Sequence, residues 1–251
     1  MKRIFRCVSL IFALILLPFL MIGGCENQNN SSDAGGGGGE VNRCPETNLD
    51  ITVCDPGAGP FTLEIDNPFF PLVVGSQSII EGVDDEGAEI RVVITVMDET
   101  EMVAGIMTRV VEEDEFEDGE RVETSWNYYA QATDGTVCYF GEDVDIFEDG
   151  MVVANTGAWR AGENENVPGI IMLADPQIGD IYRQELAPGI AEDQSEIIAF
   201  GETFEVEAGT FSDTVTTEDC NPLDDTPLDL KVYFSGIGLA IDETAELVSF
   251  E

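Results

Sequence analysis

Between residues 61 and 139 the chain alternates apolar and polar residues in short runs, and a period of two leaves it little choice but β-sheet. In EIRVVITVM (89–97), Ile90, Val92, Ile94 and Val96 alternate with Glu89, Arg91 and Thr95. Successive side chains of an extended strand point to opposite faces, so this spacing marks strands with one packed face and one wet face. A helix would need its apolar residues three or four apart. RVETSWNYYAQ (121–131) repeats the pattern, with Val122, Thr124, Trp126 and Tyr128 on one face and Glu123, Ser125 and Asn127 on the other. Asp-Glu-Gly at 85–87, Glu-Asp-Gly at 117–119, Asp-Gly at 134–135 and Glu-Asp-Gly at 148–150 punctuate the runs. Asp and Gly tolerate the positive φ of tight turns, so the stretch reads as an antiparallel meander of hairpins.

Residues 157–196 are less regular. With Pro168-Gly169, Pro188-Gly189 and few alternating runs, they read as long structured loops with at most one short helix. GETFEVEAGTFSDTVTTED (201–219) then predicts a hairpin turning near Ala208-Gly209, and LDLKVYFSGIGLAIDETAELVSF (228–250) supplies the final strands. In LDLKVYF, the period of two is expected to turn Lys231 outward as a solvated amine. A sheet made of so many hairpins must close or cover its edges. The expected fold over 60–251 is therefore mainly β: a single antiparallel, curved or barrel-like sheet, or a two-layer β arrangement.

The amino terminus concerns location. Lys2, Arg3 and Arg6 precede a nearly all-apolar run at 8–22. That run contains Pro18 and falls short of the ~20 apolar residues a membrane span needs, so 1–24 reads as a secretory signal peptide. Ile22-Gly23-Gly24-Cys25 resembles the lipobox of bacterial lipoproteins, which implies cleavage before Cys25, diacylglycerol on its sulfur and usually a third acyl chain on its amino group. Two or more chains hold a protein stably on a membrane, since each buried methylene contributes about 0.8 kcal/mol. Residues 25–59, rich at first in Asn, Ser and Gly, then read as anchor and tether with a possible small disulfide loop. Glu26 is not the aspartate that retains lipoproteins in the inner membrane of enteric bacteria, so the expected site is the outer membrane or cell surface.

Charge narrows the partners. The chain carries 51 acidic and 10 basic residues, and without Lys2, Arg3 and Arg6 only 7 bases remain, formally −44. Such a field repels phosphate backbones, which excludes nucleic acid and leaves the lipid membrane, a small apolar ligand or an envelope protein as expected partners.

Four cysteines remain after Cys7 leaves with the signal and Cys25 takes lipid: Cys44, Cys54, Cys138 and Cys220. In an exported chain they predict disulfides. The short loop CPETNLDITVC favours Cys44 with Cys54, which leaves Cys138 for Cys220. Histidine is absent, so no imidazole acid, base or triad is available. The catalytic candidates are then carboxylates, Glu142 in YFGED and Glu185 in YRQE, with Arg183 to fix one of them. Trp159 and Arg183 are the ligand-binding candidates, one to stack on a sugar and one to pair with an acid. The competing structural reading pairs Arg183 with Glu142 or Glu185 and packs Trp159 in the core. Asp143, Asp145 and Asp149 in GEDVDIFEDG, with Glu148, form the oxygen-rich turn closest to a calcium loop, though Phe147 interrupts it. VEEDEFEDGE, with Glu112, Glu113, Asp114 and Asp118, is a second such stretch. No cofactor is implied.

The segments NPFFPLVVGS, YYAQATDGTVCYFGEDV, GAWRAG, PGIIM, GDIYRQE, EAGTF and KVYFSGIGL, spread over 61–250, resemble an exported bacterial family of hypothetical proteins. The resemblance implies one extracytoplasmic domain and supplies no reaction. The expected function is a membrane-anchored envelope lipoprotein acting as a ligand-binding or structural module. The alternatives are a carboxylate-dependent glycan hydrolase and a calcium-binding envelope protein.

Overall fold

The computed structural model describes residues 44–223 and 228–251. The export segment, Cys25 and the glycine-rich tether lie outside the described residues. Twelve principal strands carry the fold: β1 (Gln77–Val83), β2 (Glu89–Val103), β3 (Ile106–Glu117), β4 (Glu120–Ala132), β5 (Val137–Glu148), β6 (Val167–Met172), β7 (Ile181–Arg183), β8 (Gln194–Phe200), β9 (Thr214–Cys220), β10 (Asp229–Phe234), β11 (Gly238–Asp242) and β12 (Ala245–Phe250). Helical structure among the described residues is confined to two three-residue 3-10 turns, Thr52–Cys54 and Pro56–Ala58.

The strands form one antiparallel sheet in the order 7-8-9-10-11-12-1-2-3-4-5-6. Every neighbour is a neighbour in sequence except at one join, where β12 pairs β1 (Leu247 opposite Ile80) and brings the carboxyl terminus to the start of the sheet. The ring then closes through a single stretch of chain. Residues Ile181–Arg183 pair with β8, while two residues further on Glu185–Leu186 pair with β6. Residues 181–186 thus serve both free edges, and the sheet becomes a nearly closed barrel, which removes the exposed edges an open sheet would present.

Two glycines make close approaches at this side of the barrel. A Cβ on Gly169 would sit 2.1 Å from the carbonyl oxygen of Gln184, and one on Gly141 would sit 2.4 Å from that of Trp159. Pro168-Gly169 therefore lies within strand β6 and not in a loop. The turn signal expected there is a packing requirement, since only glycine lets the seam chain lie against the sheet.

Residues 44–58 strap the outside of the seam. Ile181 donates to Asn48 Oδ1 at 2.8 Å, and the amides of Asn48 and Leu49 donate to Ile181 O at 3.0 and 3.1 Å. The disulfides pin this strap: Cys44 bonds Cys220 at the end of β9, and Cys54 bonds Cys138 on β5. The pairing expected from loop length, Cys44 with Cys54 and Cys138 with Cys220, is thus corrected. Ease of closing a short loop counts for little once the sheet fixes Cys138 and Cys220 on β5 and β9, with strands β6 to β8 between them.

The interior face follows from the register, because residues directly opposite in an antiparallel pair project to the same side. Ile94 opposes Glu113, Glu113 opposes Ser125, Glu115 opposes Glu123, Asn127 opposes Glu142 and Tyr129 opposes Tyr139. Across the ring, Ser195 opposes Asp219, Thr217 opposes Lys231 and Lys231 opposes Asp242. Two expectations change. On β4 the polar set Glu123, Ser125 and Asn127 is buried inside the barrel, and Lys231 is 3% exposed and interior, not a solvated amine.

Candidate functional site

The interior is packed where Tyr129, Tyr139, Ile171 and Tyr182 lie, all at most 2% exposed. Tyr129 stacks on Tyr139 with ring centroids 4.9 Å apart, and Trp159 meets Tyr139 edge-on at 5.4 Å. Toward one end of the barrel this packing gives way to a cavity of about 280 Å³. Its rim is open, with Val73 65% and Phe250 50% exposed, and Ser76, Gln77, Ser78 and Glu251 add polar groups to the lining. Leu72, Ile94, Val96, Ile237 and Leu239 form its walls. Its floor is polar and aromatic, made by Glu113, Lys231, Tyr129 and Tyr233 beneath Phe70. The ring of Phe70 lies 5.1 Å from that of Tyr129 and 6.3 Å from that of Tyr233.

Each floor residue is placed by strand parity. Glu113 follows Val111 by two on β3, and Tyr233 follows Lys231 by two on β10, so both pairs face inward together. Lys231 Nζ stands 3.3 Å from Asp219 Oδ2. Asp219 in turn accepts from Ser195 Oγ at 2.7 Å, from Thr217 Oγ1 at 3.1 Å and from Gln184 Nε2 at 3.3 Å. Asp242 lies opposite Lys231 on β11, is 0% exposed, and has no hydrogen-bond partner at either carboxylate oxygen.

Acids crowd this interior. Burial pushes Glu113 up to about 7, against the pull of Lys231 and with a further push from Asp242. Burial likewise raises Asp242 to about 7, again opposed by Lys231. Glu123 rises to about 8 through burial and the neighbouring Glu113, and Glu115 rises strongly through burial and Glu123. Burial alone would lower the pKa of Lys231, but Asp242 and Asp219 outweigh it and hold the amine protonated. For the Lys231 and Asp242 pair the charged ammonium is the secure member, since Asp219 lies within ion-pairing distance while Asp242 lacks any hydrogen bond.

The candidates from sequence fall elsewhere. Glu142 and Glu185 are both buried in the interior, 1% and 0% exposed, and burial raises the pKa of each, with Glu185 adding to the rise of Glu142 and Asp193 to that of Glu185. No oxygen of either accepts a hydrogen bond of standard geometry, although the Tyr139 hydroxyl and the Trp159 indole N–H are near enough to favour their charged forms slightly. Trp159 is 3% exposed and lies opposite Glu142. None of Glu142, Glu185, Trp159 and Arg183 lines the cavity. Arg183 pairs with neither glutamate. Its Nη1 is 4.0 Å from Glu192 Oε2 and donates to Glu192 O at 3.4 Å, because β7 turns it away from the lumen.

The acidic turn is divided by parity as well. Glu142 faces inward, so Asp143 and Asp145 face out. Arg160 holds Asp143 at 2.6 Å, with the Tyr128 hydroxyl donating to it at 2.9 Å. Asn155 Nδ2 donates to Asp145 at 2.8 Å, and Asp149 occupies a turn with φ of 52°. Among the described residues no group of three potential ligands is placed to hold a metal ion.

Sequence reasoning misses the floor, although a signal for it exists. In VEEDEFEDGE, Glu113 and Glu115 share the parity of Val111. In LDLKVYF the only lysine after the signal shares that of Tyr233.

No family model matches the chain, and no curated protein does. Two crystal structures resemble it in outline. One is a protein inferred to be exported, with a YmcC-like fold, from Bacteroides fragilis: it aligns over 73% of this chain and 98% of its own, at 16% identity and a TM-score of 0.40. The other is an inferred lipoprotein from Parabacteroides distasonis, over 74% of this chain and 99% of its own, at 11% identity and a TM-score of 0.37.

Proposed function

We propose that this chain is a lipid-anchored bacterial envelope protein, at the outer membrane or cell surface, whose barrel holds a small ligand with an apolar body and a polar head. The anchor rests on the Ile22-Gly23-Gly24-Cys25 motif and the signal peptide before it. The binding role rests on one observation: an otherwise packed interior opens into an apolar-walled cavity that ends on Glu113 and Lys231. Ligand sites in proteins are typically concave, mostly apolar and furnished with few polar groups, and this cavity has that composition. Glu142 and Glu185, the pair a glycosidase would need, do not line it.

Native mass spectrometry of protein purified from its membranes tests the binding role. A bound mass of a few hundred daltons is expected, and Ile94→Trp, which fills the cavity from its wall, should abolish it. Retention of that mass by the variant, or its absence from the native protein together with no uptake of amphiphiles in vitro, would refute the reading. The anchor is tested separately by the mass of the mature amino-terminal peptide, which should begin at an acylated Cys25.

A further inference from the structure

Acidic groups outnumber basic ones around the cavity floor. Among the described residues Lys231 on β10 is the one cation lining the cavity, and Asp219 on β9 already stands at ion-pairing distance from it. Asp242 on β11 faces the same lysine and finds no hydrogen bond. Glu113 on β3 lines the cavity itself, with Glu115 two residues along and Glu123 of β4 in the next position of the same face. An anionic head entering here would meet four acids, Glu113, Glu115, Glu123 and Asp242, and a lysine already engaged by Asp219. A neutral head would bring these acids no partner. A cation would favour the ionised form of Glu113, the acid that lines the cavity, and pair with it.

Three aromatic rings line the same space. Phe70, Tyr129 and Tyr233 all border the cavity, with Phe70 between the two tyrosines. Aromatic faces attract ammonium groups, and rings grouped around a carboxylate are a recurrent way of holding one. The walls, from Leu72 and Ile94 to Ile237 and Leu239, offer mostly apolar surface to the rest of the ligand, with Ser76, Gln77, Ser78 and Glu251 as the polar members of the lining outside the floor.

Resting on the binding role above, we propose that the ligand is a hydrophobic amine, its ammonium held between the Glu113 carboxylate and the rings of Phe70, Tyr129 and Tyr233, its chain running out along the apolar wall. Glu113 supplies the selectivity. Lys231, fixed by Asp219, excludes carboxylates only in the sense that it has no free charge to offer them. The protein's formal charge of −41 gathers cations at its surface and works in the same direction.

The test is calorimetric titration of the mature chain, beginning at residue 25 and carrying Cys25→Ser, with n-octylammonium, 1-octanol and octanoate at pH 7.5, each below its aggregation concentration. Octylammonium should bind at least tenfold tighter than octanol, about 1.4 kcal/mol, and octanoate weakest. Glu113→Gln should reduce octylammonium to the level of octanol and leave octanol unchanged. This variant removes a buried charge without changing shape, so it should unfold at no lower urea concentration than the parent, which verifies its fold. Equal binding of octylammonium and octanol, tightest binding of octanoate, or no effect of Glu113→Gln on octylammonium would overturn the amine and leave the cavity reading standing. Failure of all three probes to bind would overturn both.

Discussion

Asp242 offers the sharpest test of how the interior is charged. Its carboxylate is 0% exposed, makes no hydrogen bond, and is raised by burial from 3.8 to about 7. In the unfolded chain it ionises near its ordinary value of about 3.9. Below pH 4 both states hold the proton and the group adds no pH dependence. Between pH 4 and 7 only the folded state holds it, so each rise in pH removes stability, and above pH 7 the loss is complete. Three units at about 1.4 kcal/mol each give a penalty of about 4 kcal/mol at pH 8, as an order of magnitude. Asp242→Asn keeps the shape and cannot ionise. In urea unfolding followed by tyrosine fluorescence, the variant should match the parent at pH 4 and exceed it by about 2–4 kcal/mol at pH 8. The opposite sign is as informative. If Asp242 is ionised and its attraction to Lys231 dominates, the variant strands a buried ammonium and falls about 3–5 kcal/mol below the parent at pH 8, which would refute a neutral, destabilising acid at this position.

Three further outcomes are expected. Each disulfide closes a long loop, with sequence separations of 176 and 84, so replacing either pair by serine should lower stability by about 4–5 kcal/mol; an unchanged urea midpoint after reduction would show that the strap is held without them. Gly169→Ala places a methyl 2.1 Å from Gln184 O at the seam and should destabilise the barrel by about 3 kcal/mol or more in the same assay, and a loss below about 1 kcal/mol would mean the seam gives way freely. Octylammonium needs Glu113 ionised, and Glu113 is raised to about 7, so its association constant should drop as pH falls from 7.5 to 5.5, by up to about tenfold per unit, and in Glu113→Gln should vary much less, through Asp242 and Glu123 alone.

The strands were legible in the sequence because their turns and alternation are local. EIRVVITVM and RVETSWNYYAQ lie in β2 and β4, and the hairpin near Ala208-Gly209 forms between Phe204–Val206 and Gly209–Phe211. The meaning of each face was not local. Alternation shows that Lys231 and Tyr233 lie on one side of their strand and Val232 and Phe234 on the other, but not which side is covered. Both are: Phe234 packs under Phe211 with ring centroids 4.5 Å apart, while Lys231 enters the lumen. The rule that polar faces are wet fails for the same reason on β4, where Glu123 and Asn127 are interior. The disulfides and the seam were equally out of reach, since each joins elements whose proximity depends on closing the ring. Pro168-Gly169 reads as a turn in isolation, and only the carbonyl of Gln184 lying over it shows why glycine is needed within a strand.

The buried acids, the cavity and the route of the chain form one arrangement. A barrel that encloses Glu113, Glu115, Glu123 and Asp242 around a single lysine is destabilised at neutral pH relative to an apolar interior of the same shape, because removing charge from water costs more than an imperfect pair returns. Folding alone gives no reason to retain such a set. A cationic ligand does, since it binds only the folded barrel and relieves the same imbalance, and occupancy at a hundred times its dissociation constant adds about 2.7 kcal/mol to stability. The position of the mouth is consistent with that exchange. Along β9 and β10 the cavity end is marked by Thr214 opposite Phe234, and the far end by Cys220, to which Cys44 is bonded. The described chain therefore enters the barrel at the end remote from the cavity rim of Val73 and Phe250. On the proposed anchor, the rim therefore lies at the opposite end of the barrel from Cys44, the first described residue after the lipidated Cys25.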